Sequence, residues 1–268
     1  MGQRPISQLM KKPKSKKKGG AKAAPHIGTK YERFLAISCS HGKYADPTAI
    51  SAVLAMRDKW KPTICVHLGD WCDTTAFRSG AAGSSDESEP VAPDIDGGIA
   101  FLRELRPTHV LDGNHEDRIP RLLNSNNALV AYAAQQATNF IDESFVKIGC
   151  RRIPYTGVFQ RLVVGDVTFT HGTIYNENAA RDMAEMYGGK VIFGHTHRSQ
   201  IGEGRTFKES TGYCVGTLTR RGEMDYAKAR RATLGWRQGI AYGEISPKDS
   251  AVWLLTRSEF NQEWRLPL

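Results

Sequence analysis

THVLDGNHE, Thr108 to Glu116, is a short apolar run that breaks at a Gly-Asn turn and delivers an asparagine, a histidine and a carboxylate one after another. Val and Thr favour the pleated, half-buried surface of a strand, and Gly-Asn supplies a turn, so this spacing predicts a strand that ends in a polar loop. Three further stretches have the same form: RFLAISCSH (Arg33 to His41), TICVHLGD (Thr63 to Asp70) and KVIFGHTH (Lys190 to His197). A fifth, VTFTHG (Val167 to Gly172), ends on His171. Side chains from five strand ends can converge on one point, which is how a two-metal hydrolytic centre is assembled.

Between these runs the pattern turns helical, the signature of an α/β protein. Helices are predicted over about Thr48 to Lys59, near Gly98 to Leu105, over Asn127 to Ala137 and over Asn178 to Tyr187. LVV-GD-VTF predicts a hairpin about Gly165 and Asp166, with Asp166 as a turn residue. GYCVGTL, GIAYGEIS and AVWLLT (Gly212 to Leu218, Gly239 to Ser246, Ala251 to Thr256) predict later strands. Ser79 to Pro93, small and acidic without periodicity, reads as a long mobile loop that can overhang the site.

The chain has 268 residues, 24% charged and 40% hydrophobic, enough for one substantial core. Its net charge of +9 is local: residues 1–30 carry nine Lys and Arg and no acid, leaving 28 basic against 28 acidic residues beyond. Such a segment buries too little surface to offset its ordering entropy, so it reads as a disordered basic arm preceding a folded domain over 31–268. Weak contact with nucleic acid and simple solubilisation are both open to it. No apolar stretch has the length of a membrane span or forms a signal-peptide core, and Ile6 stands where a myristoylation signal wants Ser or Thr. Five cysteines (Cys39, Cys65, Cys72, Cys150, Cys214) without small-scaffold spacing fit free thiols in a reducing compartment, so the expected location is the cytoplasm.

A pair of divalent cations about 3.5–4 Å apart can activate water and clamp both oxygens of an in-line displacement at phosphorus. Such a pair needs a shared carboxylate, neutral imidazoles and neutral oxygens. Asp70, behind Gly69, is the candidate for the shared carboxylate, and His195 and His197 are spaced to give one histidine to each ion.

The ordered blocks SCSH, GD, GNHE, an isolated His171 and GHTH resemble the calcineurin-like metallophosphoesterase family, and GNHEDR with YAKARR…GWRQG is most similar to its phage and bacterial members. The resemblance implies two packed mixed β-sheets flanked by helices, a four-layer α/β/β/α sandwich. It implies a first metal on His41, Asp70 and His197, a second on Asp70, Asn114, His171 and His195, and His115 beside the leaving-group oxygen. The metals implied are Mn, Zn, Fe or Mg. No covalent phosphoenzyme is implied.

Cys39 stands where the family has an aspartate. Ligation by its thiolate would favour Zn²⁺ or Fe²⁺; alternatively Cys39 is a small buried residue and the first site is weak or vacant. Arg118 can fork onto a substrate phosphate or pair with Asp117 or Glu116. Asp73 is a candidate acceptor for a histidine, whereas His67 and His109 read as packed residues. Arg220, Arg221, Tyr226, Lys228, Arg230 and Arg231 suggest a basic rim, diluted by Glu223 and Asp225. GDWCDTT has no Arg after Asp73 and GHTH is present, which places a protein phosphatase of the family it resembles behind a phosphodiesterase or nucleotidase. The basic arm and the candidate rim alone favour a phosphodiesterase acting on nucleotides or nucleic acid, with a phosphomonoesterase as the alternative. A metal-binding module that has lost catalysis is the rival from another class.

Overall fold

The computed structural model describes residues 31–220, 222–224 and 231–267. The predicted arm over 1–30 and the rim positions Arg221, Tyr226, Lys228 and Arg230 lie outside the described residues, as does the side chain of Arg231.

In chain order the elements are β1 (Glu32–Ile37), α1 (Pro47–Trp60), β2 (Ile64–His67), α2 (Val91–Leu105), β3 (His109–Leu111), α3 (Arg118–Arg121), α4 (Ala128–Ile148) and β4 (Arg151–Ile153). There follow β5 (Leu162–Val164), β6 (Val167–Phe169), α5 (Ala179–Tyr187), β7 (Gly189–Phe193), β8 (Ser199–Glu203), β9 (Ser210–Val215), β10 (Gly239–Ile245) and β11 (Ser250–Thr256). They make a sheet ordered β11-β10-β1-β2-β3-β4 and a second ordered β5-β6-β7-β9-β8. Strands β1 to β4 are parallel, and β10 closes antiparallel on β1. In the second sheet β6, β7 and β9 are parallel, with antiparallel β5 and β8 at the edges.

Alternation along β1 explains the layering, because successive side chains of a strand point to opposite faces. Phe34 and Ala36 pack with Val167, Phe169 and Ile192 between the two sheets. Leu35 and Ile37 point the other way, into a core with Val53, Met56, Ile99 and Leu102 from α1 and α2. On the far side α5 lays Ala179, Ala180 and Met183 over Val191, Phe193 and Cys214. The result is the expected α/β/β/α sandwich. Both faces of β1 and β2 are covered, which is why those strands read as unbroken apolar runs rather than alternating ones. Each fully buried Phe, Leu or Ile here contributes about 1.5–3 kcal/mol.

Differences from the sequence reading lie at the edges. Helix α2 begins at Val91 rather than near Gly98, so the expected loop to Pro93 ends at Pro90. Its residues 85–88 form a 3-10 turn, Arg78 pairs with Asp86, and Lys43 pairs with Glu89, which tie the segment down. Helix α4 runs to Ile148, eleven residues beyond Ala137, capped by the Asn127 carboxamide oxygen on the backbone N–H of Leu129 at 3.0 Å. Gly165 and Asp166 do form the β5-β6 turn, and Asp166 pairs with Lys190 at 3.2 Å. All five cysteines are free thiols. Among the described residues no helix is long and apolar enough to cross a membrane.

Candidate metal centre

The C-terminal ends of β1, β2 and β3 and those of β6 and β7 meet at one edge of the sandwich. Close backbone approach makes this possible: a Cβ on Gly194 would overlap the Ser38 hydroxyl, and one on Gly113 would overlap the Asp70 carboxylate. Cys39, His41, Asp70, Thr74, His195 and His197 all have φ between 49° and 64°. Left-handed backbone is costly for non-glycine residues and gathers at functional sites, where surrounding structure holds it in place. Elsewhere among the described residues, non-glycine positive φ occurs only at Lys61 and Arg106, which cap helices, and at Gln262.

The structure brings the seven predicted ligands together. Cys39, His41, Asp70 and His197 offer ligand atoms within 4.8 Å of one another, and Asp70, His171 and His195 do the same, so Asp70 is common to both groups. Asn114 Oδ1 lies 3.0 Å from His171 Nε2 and 2.9 Å from His195 Nδ1. Asp70 Oδ2 is 3.3 Å from His171 Nε2 and 3.9 Å from both His41 Nε2 and His115 Nε2.

Asp73 orients two histidines from behind: its Oδ1 lies 2.8 Å from His41 Nδ1 and 3.1 Å from His115 Nδ1. His115 Nδ1–H also reaches the Asp73 carbonyl at 2.7 Å, which leaves Nε2 facing the centre. The Asp73 loop hangs from Asp94 in the first turn of α2, whose carboxylate accepts the backbone N–H of Asp73 at 3.0 Å and of Thr74 at 2.7 Å.

Charge and burial set the protonation states. Burial opposes ionisation of Asp70 and Asp73, but the surrounding imidazoles outweigh it and hold both carboxyls well below the usual range. Burial disfavours the His115 cation, yet Asp70 and Asp73 push its pKa up to about 9. His171 is raised against burial by Asp70. Burial and neighbouring imidazoles lower His195 to about 4 and take His197 well below its ordinary value, so both are neutral at neutral pH.

The donor set fits a metal. His41 Nδ1–H is engaged by Asp73, so its Nε2 lone pair faces His197 Nε2 at 2.9 Å. A proton on His197 Nε2 would answer that lone pair, but Nδ1 of the same ring is buried without a partner in either tautomer. Two imidazole nitrogens about 2.0–2.1 Å from one ion come within roughly 3 Å of each other at a right angle. Burial and the nearby Asp70 raise the Cys39 thiol well above its ordinary value, a balance that a coordinated cation inverts.

Sequence reading missed three holders. Glu116 is buried; its Oε2 accepts the N–H of Asp70 at 2.9 Å and of Gly113 at 2.6 Å, and its Oε1 accepts that of Cys72 at 2.9 Å. Burial, Asp70 and Asp112 push its pKa up to about 7. Gln160 takes the His171 N–H at 3.1 Å and donates to the Asp112 carbonyl at 2.7 Å, linking the two sheets behind the centre. Asp94 is the third. The one available signal was an acid three residues after the Gly113 turn.

Arg118 makes neither expected ion pair. Its Nη1 donates to the carbonyls of Asp73 at 2.8 Å and Thr74 at 3.4 Å, while Asp117 pairs with Arg121. His67 is buried between Ser40 and Phe101 with its pKa lowered by burial to about 3, and His109 bonds Thr108; neither joins the centre.

The sequence model of the calcineurin-like phosphoesterase family matches residues 32–199, and the chain belongs to that family. It is 30% identical over 230 residues to the Gene 54 protein of Mycobacterium phage D29, covering 78% of this chain and 87% of that protein. It is 29% identical over 231 residues to the Gene 54 protein of Mycobacterium phage L5, with coverages of 78% and 88%. Among solved structures it resembles wild-type Vps29 of Entamoeba histolytica complexed with Zn²⁺ (TM-score 0.45, 12% identity, covering 85% of this chain and 94% of that one). It also resembles the phosphoesterase Yfce of E. coli (TM-score 0.33, 15% identity, coverages of 82% and 96%).

Proposed function

We propose that this protein is a metal-dependent phosphoesterase that cleaves phosphodiesters of nucleotides or nucleic acid. The pair of adjoining donor groups sharing Asp70, with His115 beside them, carries the phosphoesterase part of this reading. The preference for diesters of nucleotides or nucleic acid rests on the basic residues of 1–30 and of the candidate rim. Cys39, His41, Asp70 and His197 would hold one divalent cation, and Asp70, Asn114, His171 and His195 a second; such a pair supplies Lewis acidity and an activated water.

The chain's own residues do the rest. His115, fixed through Nδ1 by Asp73, holds a proton at Nε2 for the departing oxygen. Arg118 braces the Asp73–Thr74 backbone through Nη1 and offers its remaining donors to a phosphate oxygen. Neutral His195 and His197 leave the centre's positive charge for the substrate. The catalytic unit is residues 31–268, the location is cytoplasmic, and the basic arm adds weak contact with nucleic acid.

The test is metal analysis of the purified chain with hydrolysis of bis-p-nitrophenyl phosphate and p-nitrophenyl phosphate in Mn²⁺, Zn²⁺, Fe²⁺ and Mg²⁺. Near two metals per chain with faster cleavage of the diester is expected. No turnover in any ion would replace this reading with that of a binding module without catalysis.

Cys39 separates the metals. A thiolate favours Zn²⁺ or Fe²⁺ over harder ions. Cys39→Ala is expected to lower metal content and turnover, and to remove a thiolate-to-metal charge-transfer band from the Co²⁺-substituted protein. Full metal content, unchanged turnover and an unchanged spectrum would show Cys39 to be a packing residue.

A further inference from the structure

A cavity of about 510 Å³ opens beside the metal centre, in the size range of small-molecule sites. Arg220, Trp236, Arg237, Gln238 and Arg257 line it, with Asp46 and Glu259 as its acids. It is built onto the Cys39–His41–His197 side. The Trp236 ring lies 4.2 Å from that of His197, and the Arg237 N–H donates to the His197 carbonyl at 2.9 Å. Thr217 Oγ1, on another wall, donates to the Cys39 carbonyl at 2.8 Å. The indole is therefore a wall common to the cavity and the metal centre.

The chemistry of the lining is selective. Asp46 is consumed internally: its Oδ2 accepts from Arg257 and Gln238, each at 2.9 Å, and its Oδ1 takes the Thr48 N–H at 2.9 Å. Arg220 stands 3.7 Å from Asp46 with its side chain 53% exposed, and Arg237 pairs with exposed Glu259 at 3.2 Å. Among the described lining residues, three guanidinium groups stand against two carboxylates, a net positive balance. A planar aromatic wall beside half-exposed arginines matches one ligand chemistry, a base joined to a phosphate.

We propose that this cavity binds a nucleotide unit, free or as a link of a strand, adjacent to the phosphate held at the metal centre. The base stacks on Trp236 and its phosphate meets Arg220 and Arg237. This deepens the phosphodiesterase reading and rests on it for the relation between the two sites.

The full chain, supplied with Mn²⁺, is titrated with AMP and separately with a thymidine hexanucleotide, following tryptophan fluorescence. Saturable quenching is expected, lost in Trp236→Phe, and Arg220→Gln should weaken binding about tenfold. Asp46 keeps Arg257 and Gln238 in that variant, so its fold is not at stake. Binding of AMP identifies the free nucleotide as sufficient; binding of the hexanucleotide alone assigns the site to a strand. Absence of both, or equal affinity in Arg220→Gln, overturns the proposal. Hydrolysis of bis-p-nitrophenyl phosphate, which carries no base, is measured alongside. Its presence without nucleotide binding sinks the cavity assignment alone, and nucleotide binding without it sinks the phosphoesterase reading.

Discussion

Asp70→Asn is expected to lower kcat/KM by at least about 10³-fold and to reduce metal content from near two ions per chain to one or none, with far-ultraviolet circular dichroism unchanged. The size follows from position. Asp70 is the one carboxylate common to both donor groups, and its Oδ2 lies within 3.9 Å of three histidine nitrogens. Lewis-acid stabilisation of a phosphoryl transition state is worth several kcal/mol, and each 1.36 kcal/mol is about tenfold in rate. Asparagine keeps the volume and can still accept the His115 N–H that Oδ1 takes at 3.2 Å, while the backbone N–H of residue 70 remains on Glu116. The fold is therefore spared and the charge alone is removed. Retention of two metals and turnover within tenfold of the parent would show that the shared carboxylate is not what assembles the centre.

The sequence exposes what is buried in the middle of the molecule and shows the edge strands β5 and β11, but it hides the other two edges, β4 and β8. β1, β2, β3, β6 and β7 carry apolar runs because they are covered, and each ends in a block that announces itself. β4 is Arg-Arg-Ile and β8 is Ser-Gln-Ile-Gly-Glu, edge strands whose mixed side chains give no periodic signal. The start of α2 was masked by Pro93 and two aspartates, yet proline is tolerated in a first turn, where its missing N–H has no helical partner to lose. The second half of α4 buries Ile141, Ser144 and Phe145 at helical spacing, but FIDESF is polar enough to read as a break. At the centre, residue types showed the candidate ligands. The supports were illegible because Glu116, Asp94 and Gln160 act on backbone groups brought close only by the fold. Arg118 is the same case: its partners are carbonyls, which no side-chain pattern foretells.

Glu116→Ala tests those supports with the second largest effect. Its two oxygens satisfy three backbone N–H groups, of Asp70, Cys72 and Gly113, at 2.6–2.9 Å and in a fully buried setting. Leaving a buried donor unsatisfied costs about 1–3 kcal/mol, so three together place the loss at about 4 kcal/mol even if water recovers part of it. For a chain of this size that is a fall in Tm on the order of 10 °C. Activity should fall too, because two of the three N–H groups belong to Asp70 itself and to the residue before Asn114. Glu116→Gln discriminates the cause: one carboxamide oxygen can serve the Asp70 and Gly113 N–H groups, but its –NH₂ then opposes the Cys72 donor. Its loss of stability should therefore be intermediate, with metal content closer to that of the parent. A thermal midpoint for Glu116→Ala within about 2 °C of the parent would mean that those turns are held by packing, with the carboxylate a passenger.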